Sequence, residues 1–296
     1  MIEGQNGLTW RRWQNIAAAV EELGFTGLYR SDHFTNADVP DMDSLECWTS
    51  LTWLASHTKR IEFGPLVSPV SVRNPALTAR MAAAVDDLSG GRLTLGLGAG
   101  WQECEHHMFG MALLNMKGRF ARFQEGLEVI TRLLRSDQPA SFEGSYFQLR
   151  EARLLPRPRR PGGPRILIGG NGEKRTLRLA ARYADEWNAV FQTPQGFARL
   201  SAKLDEWLKD EGRKPEAVRR SLMTGIRFAG TRTGLEAMLH GRSVEELRGR
   251  GMIVGAGEEI QPQLAELEQA GVQRVMLQWM DLEDLEGIEE LKKVVG

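Results

Sequence analysis

The chain has 296 residues, 42% of them hydrophobic and 26% charged, which is the composition of a globular protein with a large core. Its 38 basic and 39 acidic residues nearly cancel, which argues against nucleic acid or an anionic membrane as the main partner, because both need a basic surface. The first residues lack a basic segment followed by an apolar one, and no apolar run reaches the ~18 residues that span a bilayer, so we expect a cytoplasmic protein.

Two features of the sequence invite a metal or redox interpretation. Cys47 and Cys104 are the only cysteines, and their spacing matches neither a disulfide framework nor a cysteine metal site. The segment 103–107, ECEHH, contains two adjacent histidines, which a helix would turn to different sides. We therefore predict that the protein binds no metal.

Helices and strands alternate from the start of the chain. Thr9 is typical of a helix N-cap and Gly24 of a helix end, and apolar residues recur at helical spacing between them, which predicts a helix at 10–23. A predicted strand, GLYRS, follows at 27–31. The other predicted elements of the first half are helices at 44–57, 73–92 and 119–135 and strands at 60–70 and 92–100.

The segment 136–164 interrupts this alternation. It contains a short hairpin sequence at 140–149 and then the Pro/Arg-rich LLPRPRRPGGP, so we predict an insertion. After the insertion the alternation resumes. The predicted strands lie at 165–170, 186–190, 219–228 and 274–279, and the predicted helices at 174–184, 196–212, 258–271 and 282–295.

Seven clear strands each precede a helical segment, and residues 1–3 supply the end of an eighth strand. Eight such pairs predict an α/β protein with the (β/α)8 TIM barrel fold, as one domain over 1–296 with the insertion at about 136–164. The competing fold is an open, doubly wound sheet. Its glycine signature fails in LGLGAGWQE, because Trp101 stands where a third glycine or alanine is needed.

In such a barrel the functional residues lie where strands end and loops begin. The strand at 27–31 is followed by Asp32 and His33, and an imidazole there can transfer a proton near neutral pH or simply form a hydrogen bond. The turn 169–172, GGNG, opens a predicted helix; it either binds a phosphate through backbone N–H groups or is a plain tight turn. Three further residues at strand ends are candidates for substrate contact: Trp101, Trp187 and Gln278.

Six segments occur in an order that is similar to one family: YRSDHF, GPLVSPVSVRNPA, LSGGRLTLGLGAGW, EHHMFG, ILIGGNGEKRTLRLAARYADEWN and GVQRVMLQW. In these segments, which extend over nearly the whole chain, it resembles the luciferase-like flavin and deazaflavin oxidoreductases, especially the branch that uses coenzyme F420. The resemblance implies a cofactor in the barrel mouth and a small organic substrate.

The resemblance also implies roles for individual residues. His33 is expected to be catalytic, supplying a proton or stabilising an anion while a hydride from F420 reduces an activated C=C, C=N or C=O bond. A non-prolyl cis peptide is expected behind the ring, between Pro65 and Leu66. The expected cofactor-binding residues are Asp32, His33, Pro65, Leu66, Val67, Ser68, Gly98, Ala99, Gly100, Gly169, Gly170, Asn171 and Gly172.

One departure from the family pattern bears on the substrate. Trp101 stands where the sugar-phosphate dehydrogenases of the F420 branch have a glutamate, so their usual base is missing. Two other functions stay open: an FMN-dependent monooxygenase that receives reduced flavin from a separate reductase, and a non-catalytic flavin-binding protein. The sequence determines neither the substrate nor the oligomeric state, for which a homodimer is one option.

The insertion and its borders are rich in arginine. These side chains either meet the anionic oligoglutamate tail that F420 carries and FMN lacks, or belong to a solvated connector. They are Arg150, Arg153, Arg157, Arg159, Arg160 and Arg165.

Overall fold

The computed structural model describes residues 1–38 and 40–296, and the predicted alternation of strands and helices is present in them. The strands are β1 (Gly27–Arg30), β2 (Glu62–Pro65), β3 (Ser68–Pro69), β4 (Thr94–Gly98), β5 (Ala140–Glu143), β6 (Gln148–Ala152), β7 (Arg165–Gly169), β8 (Glu186–Val190), β9 (Arg219–Ala229), β10 (Ile253–Ala256) and β11 (Arg274–Gln278). The α-helices are α1 (Trp10–Glu22), α2 (Cys47–His57), α3 (Pro75–Ser89), α4 (Glu103–Met108), α5 (Met116–Arg135), α6 (Thr176–Tyr183), α7 (Pro194–Asp210), α8 (Arg232–Leu239), α9 (Val244–Gly249), α10 (Gln261–Gln269) and α11 (Leu285–Val295).

Helix α3 shows how the local sequence sets the ends of an element. The Asn74 side chain accepts hydrogen bonds from the backbone N–H groups of Ala76 and Leu77, and Pro75 occupies the first helical position. At the other end Gly90 adopts a left-handed conformation with φ of 72°, which a residue with a Cβ adopts only at a cost. The helix therefore begins and ends where the cap residues predict.

The chain divides into two compact units, which are described separately here. The N-terminal unit consists of Gly4–Trp10 and Thr26–Ile168, and the C-terminal unit of Met1–Glu3, Arg11–Phe25 and Gly169–Gly296.

The N-terminal unit is built on parallel strands. β1 pairs with β2, β3 pairs with β4, and β4 pairs with β7, while a bridge joins Phe63 to Leu93. Leu95 on β4 and Ile166 on β7 are completely buried, as a strand covered on both faces requires. The carboxyl ends of β1, β3 and β4 therefore lie at the same edge of this unit.

The predicted strand at 60–70 is two strands, β2 and β3, with a break between them. A non-prolyl cis peptide lies in this break, as the resemblance implies, but it joins Leu66 to Val67. The expected position between Pro65 and Leu66 is thus wrong by one residue. Leu66 is buried and its N–H donates to the carbonyl oxygen of Arg30 at 2.7 Å, so the register of β1 and β2 continues one residue past β2.

The insertion contains the predicted hairpin, formed by antiparallel β5 and β6. Two of its arginines are structural. Both terminal nitrogens of Arg157 donate to backbone carbonyls at the end of α5, at 2.7 Å to Leu133 and 2.8 Å to Leu134. Arg160 binds the buried carboxylate of Asp86 at 2.6 Å. The guanidinium groups of these two arginines therefore stabilise the N-terminal unit itself, and binding of a cofactor tail by the arginines of the insertion stays a prediction.

The C-terminal unit also has parallel strands, with β9 pairing to β8 on one side and to β11 on the other. The predicted strand at residues 1–3 is a single bridge between Ile2 and Trp279. Two backbone hydrogen bonds flank this bridge: the Met1 amino group donates to Leu277, and the Trp279 N–H donates to Met1, both at 2.9 Å.

One part of the C-terminal unit was not predicted. β10 pairs in parallel with residues 226–229 at the end of β9, and α8 and α9 precede it. A separate apolar cluster holds these elements together, formed by Leu235, Leu239, Leu247 and Val254. The sequence analysis assigned no element between 228 and 258, because each of these three elements has eight residues or fewer and therefore a short periodic pattern.

Candidate active site

Two polar residues follow β1 at the edge where β1, β3 and β4 end, and they point into different surroundings. Asp32 is 3% exposed and belongs to an internal network. Its carboxylate accepts hydrogen bonds from Ser68 Oγ and from Nε and Nη2 of Arg73, all at 2.6 Å. Ser68 Oγ in turn accepts a hydrogen bond from the Trp48 indole N–H at 3.1 Å.

This network has an electrostatic consequence. Burial works against the charge of Arg73, but the hydrogen bonds and the charge of Asp32 outweigh it and raise the pKa of the guanidinium. Asp32 and Ser68 were predicted to contact a cofactor. Both side chains are buried and hold the ends of β1 and β3 together, and their contact with a cofactor stays a prediction.

His33 faces a buried carboxylate from another element. Its Nδ1 lies 3.0 Å from Oε1 of Glu105 on α4, and the backbone N–H of Phe34 donates to the other oxygen, Oε2, also at 3.0 Å. Glu105 is 2% exposed. Because a carboxylate oxygen accepts, Nδ1 carries the proton in this pair, and Nε2 is then the nitrogen whose protonation changes in acid–base chemistry.

Helix α4 fastens the whole segment after β1. The Gln102 side chain donates to the carbonyl oxygen of Thr35 at 2.8 Å. The buried His106 donates through Nδ1 to the carbonyl oxygen of Gln102 at 2.6 Å and accepts through Nε2 from Ser71 Oγ at 2.9 Å. The backbone that follows His33 is therefore held at two points, by Glu105 at Phe34 and by Gln102 at Thr35.

Glu105 is the functional residue that the sequence analysis missed. It lies in the ECEHH segment, which was considered as a metal site and rejected, and it begins the family segment EHHMFG, to whose residues no role was assigned. Among residues 1–38 and 40–296 no group of three or more His, Cys, Asp or Glu side chains is arranged to hold a metal ion. The usable signal was a carboxylate on the first helix after β4, at the edge where His33 also lies.

At the end of β4, Gly98 lies close to Val67, and Trp101 contacts His33. A Cβ at Gly98 would lie 2.6 Å from Val67 Cγ2, so close packing within the protein already explains this glycine. Trp101 is 61% exposed, and its ring contacts that of His33 edge to face with centroids 5.6 Å apart. Val67, Ala99 and Gly100 are half-buried, whereas Pro65 and Leu66 are buried.

In the C-terminal unit, the turn 169–172 is held by the neighbouring strand. The Asn171 amide N–H donates to the carbonyl oxygen of Val190 at 2.7 Å, and its carbonyl oxygen accepts from the N–H of Val190 at 2.9 Å. Gly170, with φ of 124°, donates its N–H to Asn188 at 2.9 Å. The Asn171 side chain thus fixes the turn, and backbone groups of Gly169 and Gly172 are what it offers to a ligand.

Two predicted substrate contacts lie in the same unit. Trp187 is completely buried, stacks on Phe197 with centroids 5.3 Å apart and donates its indole N–H to Gly170 at 2.9 Å. It is a core residue that supports the turn, and its contact with substrate stays a prediction. Gln278 is half-buried and donates to Oε1 of Glu3 at 2.5 Å.

In the part of the chain that the structure describes, no helix is both long enough and apolar enough to cross a bilayer. Cys47 and Cys104 are both free thiols.

Comparison with known proteins identifies relatives over most of the chain. A family model described as luciferase-like monooxygenase matches residues 2–243. The F420-dependent glucose-6-phosphate dehydrogenase of Kineococcus radiotolerans is 31% identical over 219 residues, which are 72% of this chain and 63% of that protein. The 4-hydroxyprotoasukamycin monooxygenase of Streptomyces nodosus subsp. asukaensis is 32% identical over 177 residues, 60% of this chain and 46% of the relative. The chain spans about half the length of the curated relatives it matches.

Solved structures show the same fold. An F420-dependent secondary alcohol dehydrogenase, solved with an F420–acetone adduct, aligns with a TM-score of 0.84 at 21% identity over 99% of this chain and 97% of the other. The F420-dependent tetrahydromethanopterin reductase of Methanopyrus kandleri aligns with a TM-score of 0.79 at 21% identity, covering 99% and 96%. These likenesses confirm the predicted (β/α)8 barrel fold.

Proposed function

Because the chain belongs to the luciferase-like monooxygenase family, we propose that it is an oxidoreductase that uses coenzyme F420 and a small organic substrate with an activated C=C, C=N or C=O bond. Relatives and structural neighbours that are named as F420-dependent support this choice of cofactor. The observation that carries the proposal is the imidazole of His33, fixed by the buried carboxylate of Glu105 where β1 ends.

The residues of the N-terminal unit suit a planar ring system. Val67, Ala99 and Gly100 are half-buried and offer an apolar surface, and Trp101 adds an exposed aromatic ring beside His33. In the C-terminal unit, the backbone of Gly169 and Gly172 is proposed to bind a phosphate in the turn that precedes α6. F420, when bound, supplies or accepts the hydride.

His33 is proposed as the catalytic acid and base. Glu105 accepts a hydrogen bond from the Nδ1–H group and thereby orients the ring. The Nε2 atom then either delivers a proton to the substrate atom that becomes electron-rich or stabilises the anion formed there. Trp101 holds the ring from the side by its edge contact and limits the access of water.

Substitution of His33 tests this role. In His33→Ala we expect turnover to fall by ~100-fold or more while F420 affinity stays within a few fold. His107→Ala is the matched control, because His107 is exposed on the same helix as Glu105, and its turnover should equal that of the native protein. Unchanged turnover in His33→Ala would remove His33 from the mechanism.

The cofactor is tested by a binding titration of the purified protein with F420, FMN and their reduced forms. Micromolar or tighter binding of F420 with weak binding of FMN is expected. The reverse order would favour the second candidate, an FMN-dependent monooxygenase supplied by a separate flavin reductase. The similarity to a named monooxygenase, together with Trp101 in place of a glutamate, is the observation behind that alternative.

The cellular location and the oligomeric state of the protein are part of the same proposal. A cytoplasmic location agrees with the two free cysteines, since disulfides form mainly in oxidising compartments. A homodimer is the assembly we propose, and its measurement by sedimentation is independent of the activity.

A further inference from the structure

Several exposed apolar side chains lie on the two segments of the N-terminal unit that carry His33 and Glu105. Trp101 is 61%, Met108 57% and Phe109 54% exposed. The ring of Phe34 lies edge to face against that of Phe109, with centroids 5.1 Å apart. Single exposed apolar side chains are ordinary on a protein surface, but several in one place mark a binding site.

This surface is structurally continuous with the proposed catalytic residue. Phe34 follows His33 in the chain, and the Glu105 carboxylate that binds His33 also accepts the N–H of Phe34. Met108 ends the helix that carries Glu105, and Phe109 caps it. Trp101 contacts His33 directly. We call Phe34, Trp101, Met108 and Phe109 the apolar rim.

The segment that carries most of the apolar rim is itself poor in charge. Residues 101–116 contain Glu103 and Glu105 but neither lysine nor arginine, and nine consecutive residues, 108–116, have no charged side chain. Arg119 and Arg122 of α5 donate to the carbonyl oxygens of Leu114 and Ala112 in this segment, both at 3.4 Å. An alkyl or aryl group that binds to the apolar rim would lose contact with water there.

We propose that the apolar rim binds the apolar body of the substrate, so that the substrate is an alkyl- or aryl-substituted carbonyl or enone. This inference rests on the proposed function, because it places the reacting bond at His33. Burial of each added methylene should raise kcat/KM by up to ~4-fold until the rim is filled.

The test uses 3-alken-2-ones of four to nine carbons, which carry both an activated C=C and a C=O bond. With reduced F420, kcat/KM of the native protein should rise ~3–4-fold per methylene over several members. In the double variant Met108→Ser, Phe109→Ser this rise should flatten to less than ~1.5-fold per methylene. Leu77→Ser is the control, because Leu77 is 56% exposed on α3, and the rise should stay unchanged.

A second readout separates this inference from the proposed function. Calorimetric binding of the saturated ketones from 2-butanone to 2-nonanone to the cofactor-free protein should show the same gain per methylene, lost in the double variant. If no enone is reduced but this gain is present, the proposed function fails and the rim stands as a site for apolar ligands. Three results would overturn the inference. The first is an affinity that does not depend on chain length, and the second is an equal gain per methylene in the double variant. The third is conversion of a dimer to a monomer by that variant.

Discussion

Arg160 in the insertion should be required for stability, because it is the cation of a buried ion pair. Its Nη2 lies 2.6 Å from Oδ1 of Asp86 and 2.8 Å from the carbonyl oxygen of Leu93, and its Nε lies 3.1 Å from Oδ2. The Asp86 side chain on α3 is completely buried, whereas that of Arg160 is 27% exposed. Arg160→Met keeps the aliphatic volume and leaves this carboxylate without its cation.

The expected loss of stability follows from the burial of Asp86. Breaking a buried ion pair costs ~3–5 kcal/mol, and partial exposure of Arg160 favours the lower end, about 3 kcal/mol at pH 7. Burial raises the pKa of Asp86, and the charge and hydrogen bonds of Arg160 oppose that rise. Without Arg160 the pKa of Asp86 therefore rises further.

The pH dependence has a definite sign. A carboxyl group whose pKa is higher in the folded than in the unfolded protein favours folding only below its unfolded pKa, and this contribution is lost as pH rises through its folded pKa. The deficit of Arg160→Met relative to the native protein should therefore be largest near neutral pH and smaller at pH 5.

Urea unfolding followed by circular dichroism at pH 7 and pH 5 measures both effects. In thermal unfolding, we expect the melting temperature of a chain of this length to fall by about 2 °C for each kcal/mol of lost stability. Arg159→Met is the matched control, because Arg159 is exposed and its backbone N–H makes the 2.9 Å contact with Asp87, so it should change stability by less than ~0.5 kcal/mol. Equal stability of the two variants, or a deficit that is the same at both pH values, would refute the ion-pair argument.

Two further substitutions test the site. Glu105→Gln replaces the acceptor of the Nδ1 proton of His33 by an amide that can donate to Nδ1, so turnover should fall at least ~10-fold with little change in melting temperature or F420 affinity; native turnover would show that the pair is structural only. Gly98→Ala places a methyl group 2.6 Å from Val67 Cγ2 and should destabilise the protein by ~1–3 kcal/mol in thermal unfolding. Its control is Gly249→Ala in α9, where a Cβ meets no atom within 4 Å and no loss of stability is expected.

The fold was accessible from the sequence because its signals are local. Caps such as Asn74 and Gly90 and the apolar periodicity of α3 lie within one element, and alternation of such elements determines the fold class. Local signals fail where an element is short. The cis peptide, which the resemblance implied between Pro65 and Leu66, lies one residue later, and the segment 65–67 has no local mark that fixes the position of the break.

The site was only partly accessible for a related reason. His33 could be placed because a polar residue directly after a strand is visible in the chain, but its partner Glu105 is 72 residues away and no local pattern connects the two. The burial of Trp187 was likewise not visible in the sequence. Its position at a strand end suggested substrate contact, and in the structure the ring packs against Phe197 and is completely buried. Burial depends on neighbours from other elements, which a single-sequence pattern does not contain.

The identity of the side chains at the end of β4 is what separates the chemistry of this protein from that of relatives with the same fold. Trp101 occupies the position at which the resemblance implies a glutamate in sugar-phosphate dehydrogenases, and four residues further on Glu105 supplies the nearest carboxylate of that segment to His33. Both oxygens of Glu105 already accept hydrogen bonds, and the side chain is 2% exposed, so it cannot approach a substrate hydroxyl as a direct base. In the mechanism that we propose, proton transfer therefore passes through His33.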